Sequence, residues 1–374
     1  MAEYKKQHQI PKTYMKHFSI DGKMSVMIGE FDDVKIVENI PYKNQCYENF
    51  YYGDDLIWEN RLGEIENDAE PVINSILEGK HVLTSLELQK MYKFISFQIA
   101  RVPSHVNKWL YNQAHILHTG IMMQKDHGLD VPEMDFFDTL DWIIKNKKRE
   151  TIDNVLNIAN NNSKYLFDLD YLIVDFTTLG SLVFSDNPVI QQNDLFLGSG
   201  GLGMAGLIII LPLAPGTAFI LFDRKIYEYP KNENHYIVSN VESDISKINT
   251  CEIVIREKLV YFDISNNKEK ILYTNKKFLP FRSVYLDNLR PTNFGDKDEK
   301  IIMASNRYMS KKMDLSFLHL NKYVNRVKII DLYLPRLKDK KTLERMSYLR
   351  EIYKDHFSKE DFDNYETFIN WYYA

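Results

Sequence analysis

The chain of 374 residues has few cysteines, no long hydrophobic run and no excess of positive charge. Cys46 and Cys251 lie far apart, and two thiols provide neither a disulfide framework nor, by themselves, a zinc site. The longest apolar run, residues 207–214, is too short to cross a membrane. No apolar leader follows the charged residues 1–6, so the pattern predicts a cytoplasmic protein without a membrane segment.

Charge and aromatic content set further bounds. A net charge of −5 gives the chain no global attraction to nucleic acid, although a local basic patch is compatible with it. Aromatic residues are plentiful, at 13% of the sequence with 24 tyrosines and 21 phenylalanines. Ring packing should therefore dominate the core. Nothing in the composition indicates an oligomeric state.

Secondary-structure signals occur in blocks along the chain. Short strand patterns occupy residues 19–52, with a hairpin turn at Asp32-Asp33, and helical periodicity fills residues 54–160. Runs rich in branched and aromatic residues predict strands between 171 and 222.

Two of the predicted helices are long. One is capped by Thr84 or Ser85 and is expected to continue past Pro103, because an interior proline kinks a helix more readily than it ends one. The other is predicted over residues 232–257, and the chain is predicted to be helical again from Thr342 to its end.

Strands and helices grouped in blocks favour an α+β fold over a doubly wound sheet. The predicted order is an N-terminal β-hairpin, a helical middle, a central mostly antiparallel sheet and C-terminal helices. Residues 1–262 are expected to pack as one domain, followed by a C-terminal helical extension over residues 263–374.

Residues near the start of the chain are suited to fixing that segment against the fold: His8, Pro11, Tyr14 and Phe18. A polar residue this close to a terminus usually stays solvated, whereas a proline and two rings favour a pinned segment. A pinned histidine is either structural or part of a site completed by residues far along the chain.

Carboxylates and an arginine lie on two predicted helices. Glu59 and Glu66 are seven residues apart and share one helix face, and Gln98 and Arg101 form a stripe on an otherwise apolar helix. A buried arginine needs an anionic partner. Arg101 therefore either pairs with one of the glutamates to brace two helices or binds a phosphate or carboxylate of a ligand. The sequence leaves both interpretations open.

Asp186 and Asn187 interrupt an apolar run where the sheet should be central. One interpretation is a structural turn in which the two side chains satisfy the backbone. The other places them at the end of a strand, where a rigid scaffold often holds catalytic groups.

Taken together, these motifs resemble a bacterial family called domain of unknown function 4238. The resemblance covers residues 8 to about 262, and no reaction is established for the family. It implies that the scattered polar residues form one site, and proteins of this kind are similar in setting to components of bacterial defence. The matching pieces are His8-x-x-Pro11-x-x-Tyr14-x-x-x-Phe18, Trp58-Glu59 with Ile65-Glu66, Gln98-x-x-Arg101-x-Pro103, Ser185-Asp-Asn-Pro188 with Leu211-Pro-Leu-Ala-Pro215, and Ile248-Asn249.

Two functions of different classes follow from a shared site. In the first, the protein is a hydrolase of phosphodiesters, nuclease-like, acting on nucleic acid or a nucleotide as a defence effector. In the second, the same polar cluster senses a ligand or a protein partner without catalysis. A third interpretation is a purely structural network of buried ion pairs.

In the enzymatic hypothesis, roles follow from residue type. Imidazole titrates near neutral pH, so the histidine is a general acid or base. Carboxylates bind Mg²⁺ or Mn²⁺ or transfer protons, the guanidinium holds phosphate, and the amides orient water or substrate. The predicted catalytic residues are His8, Glu59, Glu66, Gln98, Arg101, Asp186 and Asn187, and the predicted metal ligands among them are Glu59, Glu66 and Asp186.

Overall fold

The N-terminal region pairs short strands around one small helix. In the computed structural model, β1 pairs antiparallel with β4, and β2 pairs antiparallel with β3 to form the predicted hairpin. The elements are β1 (Lys6–His8), α1 (Lys12–Lys16), β2 (Lys23–Ile28), β3 (Lys35–Pro41) and β4 (Tyr47–Asn49). The structure describes residues 5–195, 201–230, 234–263, 268–281, 289–293, 300–304, 312–324, 336 and 359–373.

The middle of the chain is helical, as predicted, and consists of four helices. Thr84 accepts a hydrogen bond from the Glu87 backbone and Glu87 returns one, so the expected capping box is present. The helix predicted to run past Pro103 is instead two helices, because a residue before proline is pushed out of the helical region and Val102 has ψ 145°. The helices are α2 (Ile57–Leu77), α3 (Ser85–Arg101), α4 (Pro103–Asp126) and α5 (Phe136–Asn162).

A five-stranded sheet follows the helices. Its order is β11-β5-β9-β8-β7, and every neighbouring pair is antiparallel except β11 with β5. The strands of this region are β5 (Asp170–Asp175), β6 (Phe184–Ser185), β7 (Ile190–Asn193), β8 (Leu207–Ala214), β9 (Thr217–Phe222), β10 (Tyr227–Glu228) and β11 (Tyr236–Val238).

The remaining elements complete a second sheet and the C-terminal part. The helix predicted over 232–257 begins only at Glu242, because Tyr236–Val238 pairs with β5 instead. A four-stranded sheet has the order β3-β2-β12-β6, and β15 pairs with β10. The elements are α6 (Glu242–Ile255), β12 (Leu259–Phe262), α7 (Lys268–Phe278), β13 (Leu289–Asn293), β14 (Lys300–Ala304), β15 (His319–Leu320) and α8 (Lys359–Tyr373). Residues 342–358 of the predicted C-terminal helix lie outside the described part.

The five-stranded sheet is buried on both faces. Alternate residues of β5 and β8 enter different hydrophobic clusters, since side chains along a strand point to opposite faces. Tyr171 and Ile209 pack with helices α2, α3 and α5, whereas Leu172 and Ile208 pack with residues from 312–324 and α8. The boundary at residue 262 stays a prediction, but core packing continues across it.

The N-terminal segment is pinned to this sheet. The Tyr14 hydroxyl donates a 2.5 Å hydrogen bond to the Pro212 carbonyl in β8. Its ring and the Phe18 ring both contact Phe184, with centroids 5.4 Å and 4.6 Å away. His8 is therefore held in place four residues before the first residue of α1.

Within the described ranges, none of the helices is both long enough and apolar enough to span a membrane.

The packing of α8 on the sheet can be tested with Phe368→Ala. Phe368 is 0% exposed, so its truncation should lower the free energy of unfolding by about 3–5 kcal/mol in urea titration. Phe137→Ala is the matched control, because Phe137 is 64% exposed and its loss should cost less than about 0.5 kcal/mol. Equal, small effects of the two substitutions would contradict this packing.

Candidate active site

A groove of about 760 Å³ lies between the N-terminal segment and helix α2. One wall comes from β1 and α1 and carries lysines and His8, and the other comes from α2 and carries glutamates and asparagines. We call it the α2 groove. Its lining residues are Lys6, His8, Lys12, Thr13, Glu59, Asn60, Leu62, Gly63, Glu64, Glu66 and Asn67.

His8 is positioned by the buried side chain before it. Gln7 donates to the Gly53 carbonyl at 2.7 Å and accepts from the Tyr52 amide at 2.5 Å, which fixes β1. The His8 Nε2 lies 3.3 Å from the Lys43 carbonyl. Because a carbonyl only accepts, the neutral ring donates from Nε2 and carries its lone pair on Nδ1.

The electrostatic surroundings keep His8 neutral. Burial and the nearby Lys12 charge lower the pKa of His8 to about 4, and Arg101 adds a smaller effect in the same direction. The Lys43 and Lys6 carbonyls favour the protonated ring and offset only part of this. At neutral pH the ring is therefore an uncharged acceptor and donor.

Arg101 lies beneath the groove and is only 2% exposed. Its Nη1 donates to Glu66 Oε1 at 2.6 Å, and its Nε donates to Gln98 Oε1 at 2.9 Å. Its Nη2 is buried and has no hydrogen-bond partner among the residues that the structure describes. A charged donor left without a partner is costly, so this nitrogen would favour an anionic oxygen, although Arg101 itself lies behind Glu66 and is not a lining residue of the groove.

Gln98 connects the arginine to the N-terminal segment. Its Nε2 donates to the Gln9 carbonyl at 3.1 Å while its Oε1 accepts from Arg101. The side chain is 2% exposed, so both ends of the amide are used inside the protein. Gln98 therefore positions Arg101 against the residue that follows His8.

The Glu59 carboxyl group has a pKa close to neutral pH. Burial is the main cause, and the Glu66 carboxylate adds to it; together they raise the pKa of Glu59 to about 7 against the opposing charges of Arg101 and Lys12. Within the described ranges, the Glu59 carboxylate accepts no hydrogen bond. A half-buried, unengaged carboxyl group with such a pKa is suited to proton transfer.

The structure thus brings five of the seven predicted residues together. His8, Glu59 and Glu66 line the groove, and Arg101 and Gln98 lie below it. Arg101 braces α3 against α2 through Glu66, as one interpretation predicted, and its Nη2 has no partner among the described residues. The ligand-binding interpretation stays a prediction.

Asp186 and Asn187 lie elsewhere, directly after β6, where the Asp186 side chain contacts the turn between α6 and β12. Asp186 accepts hydrogen bonds from the backbone amides of Glu257, Lys258 and Leu259 at 2.8, 2.8 and 2.9 Å. The Asn187 backbone is held by the Ser185 hydroxyl. Neither residue lines the α2 groove. The geometry matches the turn interpretation of this motif.

The predicted metal ligands do not converge as a set. Across the described ranges, there is no group of three or more histidine, cysteine, aspartate or glutamate side chains arranged to hold a metal ion. Glu66 is engaged by Arg101, and Asp186 by backbone amides. The residues present therefore do not fit the three-carboxylate site expected from the sequence.

Sequence reasoning missed two kinds of residue. Lys6 and Lys12 line the groove, but exposed lysines give no signal of their own. Glu252 is 0% exposed, accepts from the Ser185 amide and hydroxyl, and has its pKa raised to about 8 by burial. Glu252 lies four residues after Ile248 and so on the same buried helix face, and this spacing could have predicted a buried carboxyl group.

Comparison with known proteins assigns the chain to a family, but it does not identify an activity. A family model described as a protein of unknown function, DUF4238, matches residues 6–266. No curated protein and no solved structure matches the chain. The matched span contains every residue of the α2 groove and Arg101.

The environment of Glu59 can be tested through stability. Its raised pKa means that the folded chain keeps a proton that the unfolded chain releases between its ordinary pKa of 4.5 and about 7. Stability contributed by this group therefore falls as pH rises through that window. Glu59→Gln should gain melting temperature relative to the native protein between about pH 5 and about pH 8. The exposed neighbour Glu64→Gln should show no such gain, and a flat difference for Glu59→Gln would refute the assignment.

The structural role of Asp186 can be tested with Asp186→Asn. One carboxylate oxygen becomes an amide that cannot accept, so at least one backbone N–H loses its partner, and unfolding free energy should fall by about 1–3 kcal/mol. Asn187→Ala, at the adjacent position, should cost less than about 0.5 kcal/mol. Chemical denaturation of both variants measures this, and an unchanged stability of Asp186→Asn would show that its three hydrogen bonds are dispensable.

Proposed function

Because the chain belongs to the DUF4238 family, whose description assigns no activity, we propose from the α2 groove itself that this protein is a hydrolase of phosphodiesters. The observation that carries the proposal is the combination of an unengaged carboxyl group of pKa about 7, a neutral imidazole and a buried arginine with one free donor. Phosphodiester hydrolysis needs these three abilities: proton removal, proton delivery and anion binding.

The order of the two pKa values assigns the proton-transfer roles. Between about pH 4 and 7, His8 is neutral and Glu59 is protonated. His8 then acts as the general base that removes a proton from water, and Glu59 acts as the general acid that protonates the leaving oxygen. A bound phosphate raises both pKa values, which strengthens His8 as a base and keeps Glu59 protonated.

Arg101 binds a non-bridging phosphate oxygen through Nη2, and Lys12 on the opposite wall adds positive charge. The Arg101–Glu66 and Arg101–Gln98 hydrogen bonds hold the guanidinium in one orientation before substrate arrives. Such preorganised charge stabilises the negative charge that develops in the transition state. Glu66 and Gln98 are therefore positioning residues, Asp186 stabilises the fold, and the Asn187 side chain takes no part in the mechanism.

The Mg²⁺ or Mn²⁺ expected from the sequence enters no step of this mechanism. In the groove, a cation would meet the carboxylates of α2 alone, because the Asp186 side chain contacts the α6–β12 turn. Activity that disappears with EDTA and returns with Mn²⁺ would add a cation bound by Glu59 to the mechanism.

A sensing module is the second candidate function. It is favoured by the free Nη2 of Arg101, which would bind an anionic ligand whether or not chemistry follows. Ligand-induced thermal stabilisation without turnover would select it. Either function suits a bacterial defence protein, the setting that the family resemblance suggests.

The hydrolase proposal is tested with bis(4-nitrophenyl) phosphate, a generic phosphodiester that releases a coloured product. Glu59→Gln and His8→Gln should each lower kcat/KM by about 10²–10⁴-fold, because each removes one proton-transfer group. The native pH profile should decline above about pH 7, as Glu59 loses its proton.

Glu78→Gln, directly after α2 and outside the groove, is the matched control and should retain full activity. Circular dichroism of each variant separates loss of catalysis from loss of folding. Full activity of Glu59→Gln in a folded protein would reject the mechanism.

A further inference from the structure

We infer that the α2 groove takes a small nucleotide with a single phosphodiester, of the size of a dinucleoside monophosphate, and contacts at most one phosphate of a longer nucleic-acid strand. The inference rests on the proposed function and names the substrate class for it. It follows from the charges of the groove, the number of its buried cationic donors and its size.

The charges of the lining oppose a polyanion. Lys6 and Lys12 face Glu59, Glu64 and Glu66, so the walls carry no cationic excess. The Lys6 ammonium also lies over the Tyr47 ring, 4.5 Å from its centroid, which turns it towards β4. Phosphates that flank the one at Arg101 would meet carboxylates, whereas strand-binding grooves present a continuous row of Lys and Arg.

The number of buried cationic donors fits one phosphate. Arg101 Nη2 is the buried nitrogen left over after Glu66 and Gln98 have taken the other contacts of this guanidinium. On the adjacent α1 surface, Lys12 contributes a single exposed ammonium. One guanidinium nitrogen and one ammonium can bind the two non-bridging oxygens of a single diester.

The uncharged polar residues of the lining can bind the nucleosides on either side of the phosphate. Asn60 and Asn67 lie seven residues apart on α2, about 10 Å along the helix axis. Their amides offer donors and acceptors for nucleobase edges on either side of one phosphate. A volume of about 760 Å³ is within the range of small-molecule sites, roughly 300–1,000 Å³.

The test compares the binding of ApA, a dinucleoside monophosphate, with that of a single-stranded decaadenylate by isothermal calorimetry over a series of salt concentrations. We expect ApA to bind with little dependence on salt, and any binding of decaadenylate to show a slope of log affinity against log salt close to about −0.7, the value for one contacted phosphate. A strand that follows the groove through four phosphates would give about −3.

Two variants locate the site. Arg101→Met combined with Glu66→Met removes both charges, which avoids an unpaired buried ion and so favours folding. It should abolish ApA binding, and Lys12→Ala should weaken binding several-fold. Lys16→Ala, on the same short helix but outside the groove, should leave it unchanged. Circular dichroism checks that each variant is folded.

The outcomes separate this inference from the proposed function. A steep slope for decaadenylate, or no binding of ApA, overturns the inference, while cleavage of bis(4-nitrophenyl) phosphate still supports the hydrolase. Binding of ApA that survives the double substitution also overturns it. Shallow, Arg101-dependent binding of ApA without cleavage supports the inference on the ligand and counts against the hydrolase.

Discussion

The buried Arg101–Glu66 ion pair is the interaction on which the groove depends. Removing a guanidinium from water is unfavourable, and ion pairing and hydrogen bonds inside the protein offset this desolvation penalty. Glu66 and Gln98 take two of these hydrogen bonds, and Gln98 in turn holds the Gln9 backbone. One network thus fixes helix α2, helix α3 and the N-terminal segment relative to each other, and it leaves the Arg101 Nη2 without a partner among the described residues.

The difference between Glu59 and Asp186 shows how the fold separates a reactive carboxyl group from a structural one. Asp186 accepts three backbone N–H groups and maintains the α6–β12 turn. Burial raises the pKa of both carboxyl groups, but Glu59 accepts no hydrogen bond within the described residues. The same residue chemistry therefore serves stability in one place and proton transfer in the other, depending on whether the backbone occupies its oxygens.

Much of the candidate site could be predicted because its parts are local. Seven-residue spacing places Glu59 and Glu66 on one helix face, and three-residue spacing places Gln98 beside Arg101. Both follow from helix geometry alone. The roles of Asp186 and Asn187 could not be separated from sequence, because a turn and a catalytic strand end use the same small polar residues. Lys12 could not be predicted as a groove residue, because only the packing of α1 against α2 brings it there.

The sequence by itself determined the α+β class, the helical middle, the hairpin and the capping at Thr84, because these depend on patterns within a few residues. Tertiary structure decided the break at Val102, the pairing of Tyr236–Val238 with β5 and the packing of α8 on the sheet. Tertiary structure also decided which of the predicted polar residues lie together at the α2 groove. Contacts such as Tyr14 with Pro212 join positions almost two hundred residues apart, and no local preference encodes them. They form because burying both partners together satisfies groups that neither could satisfy alone.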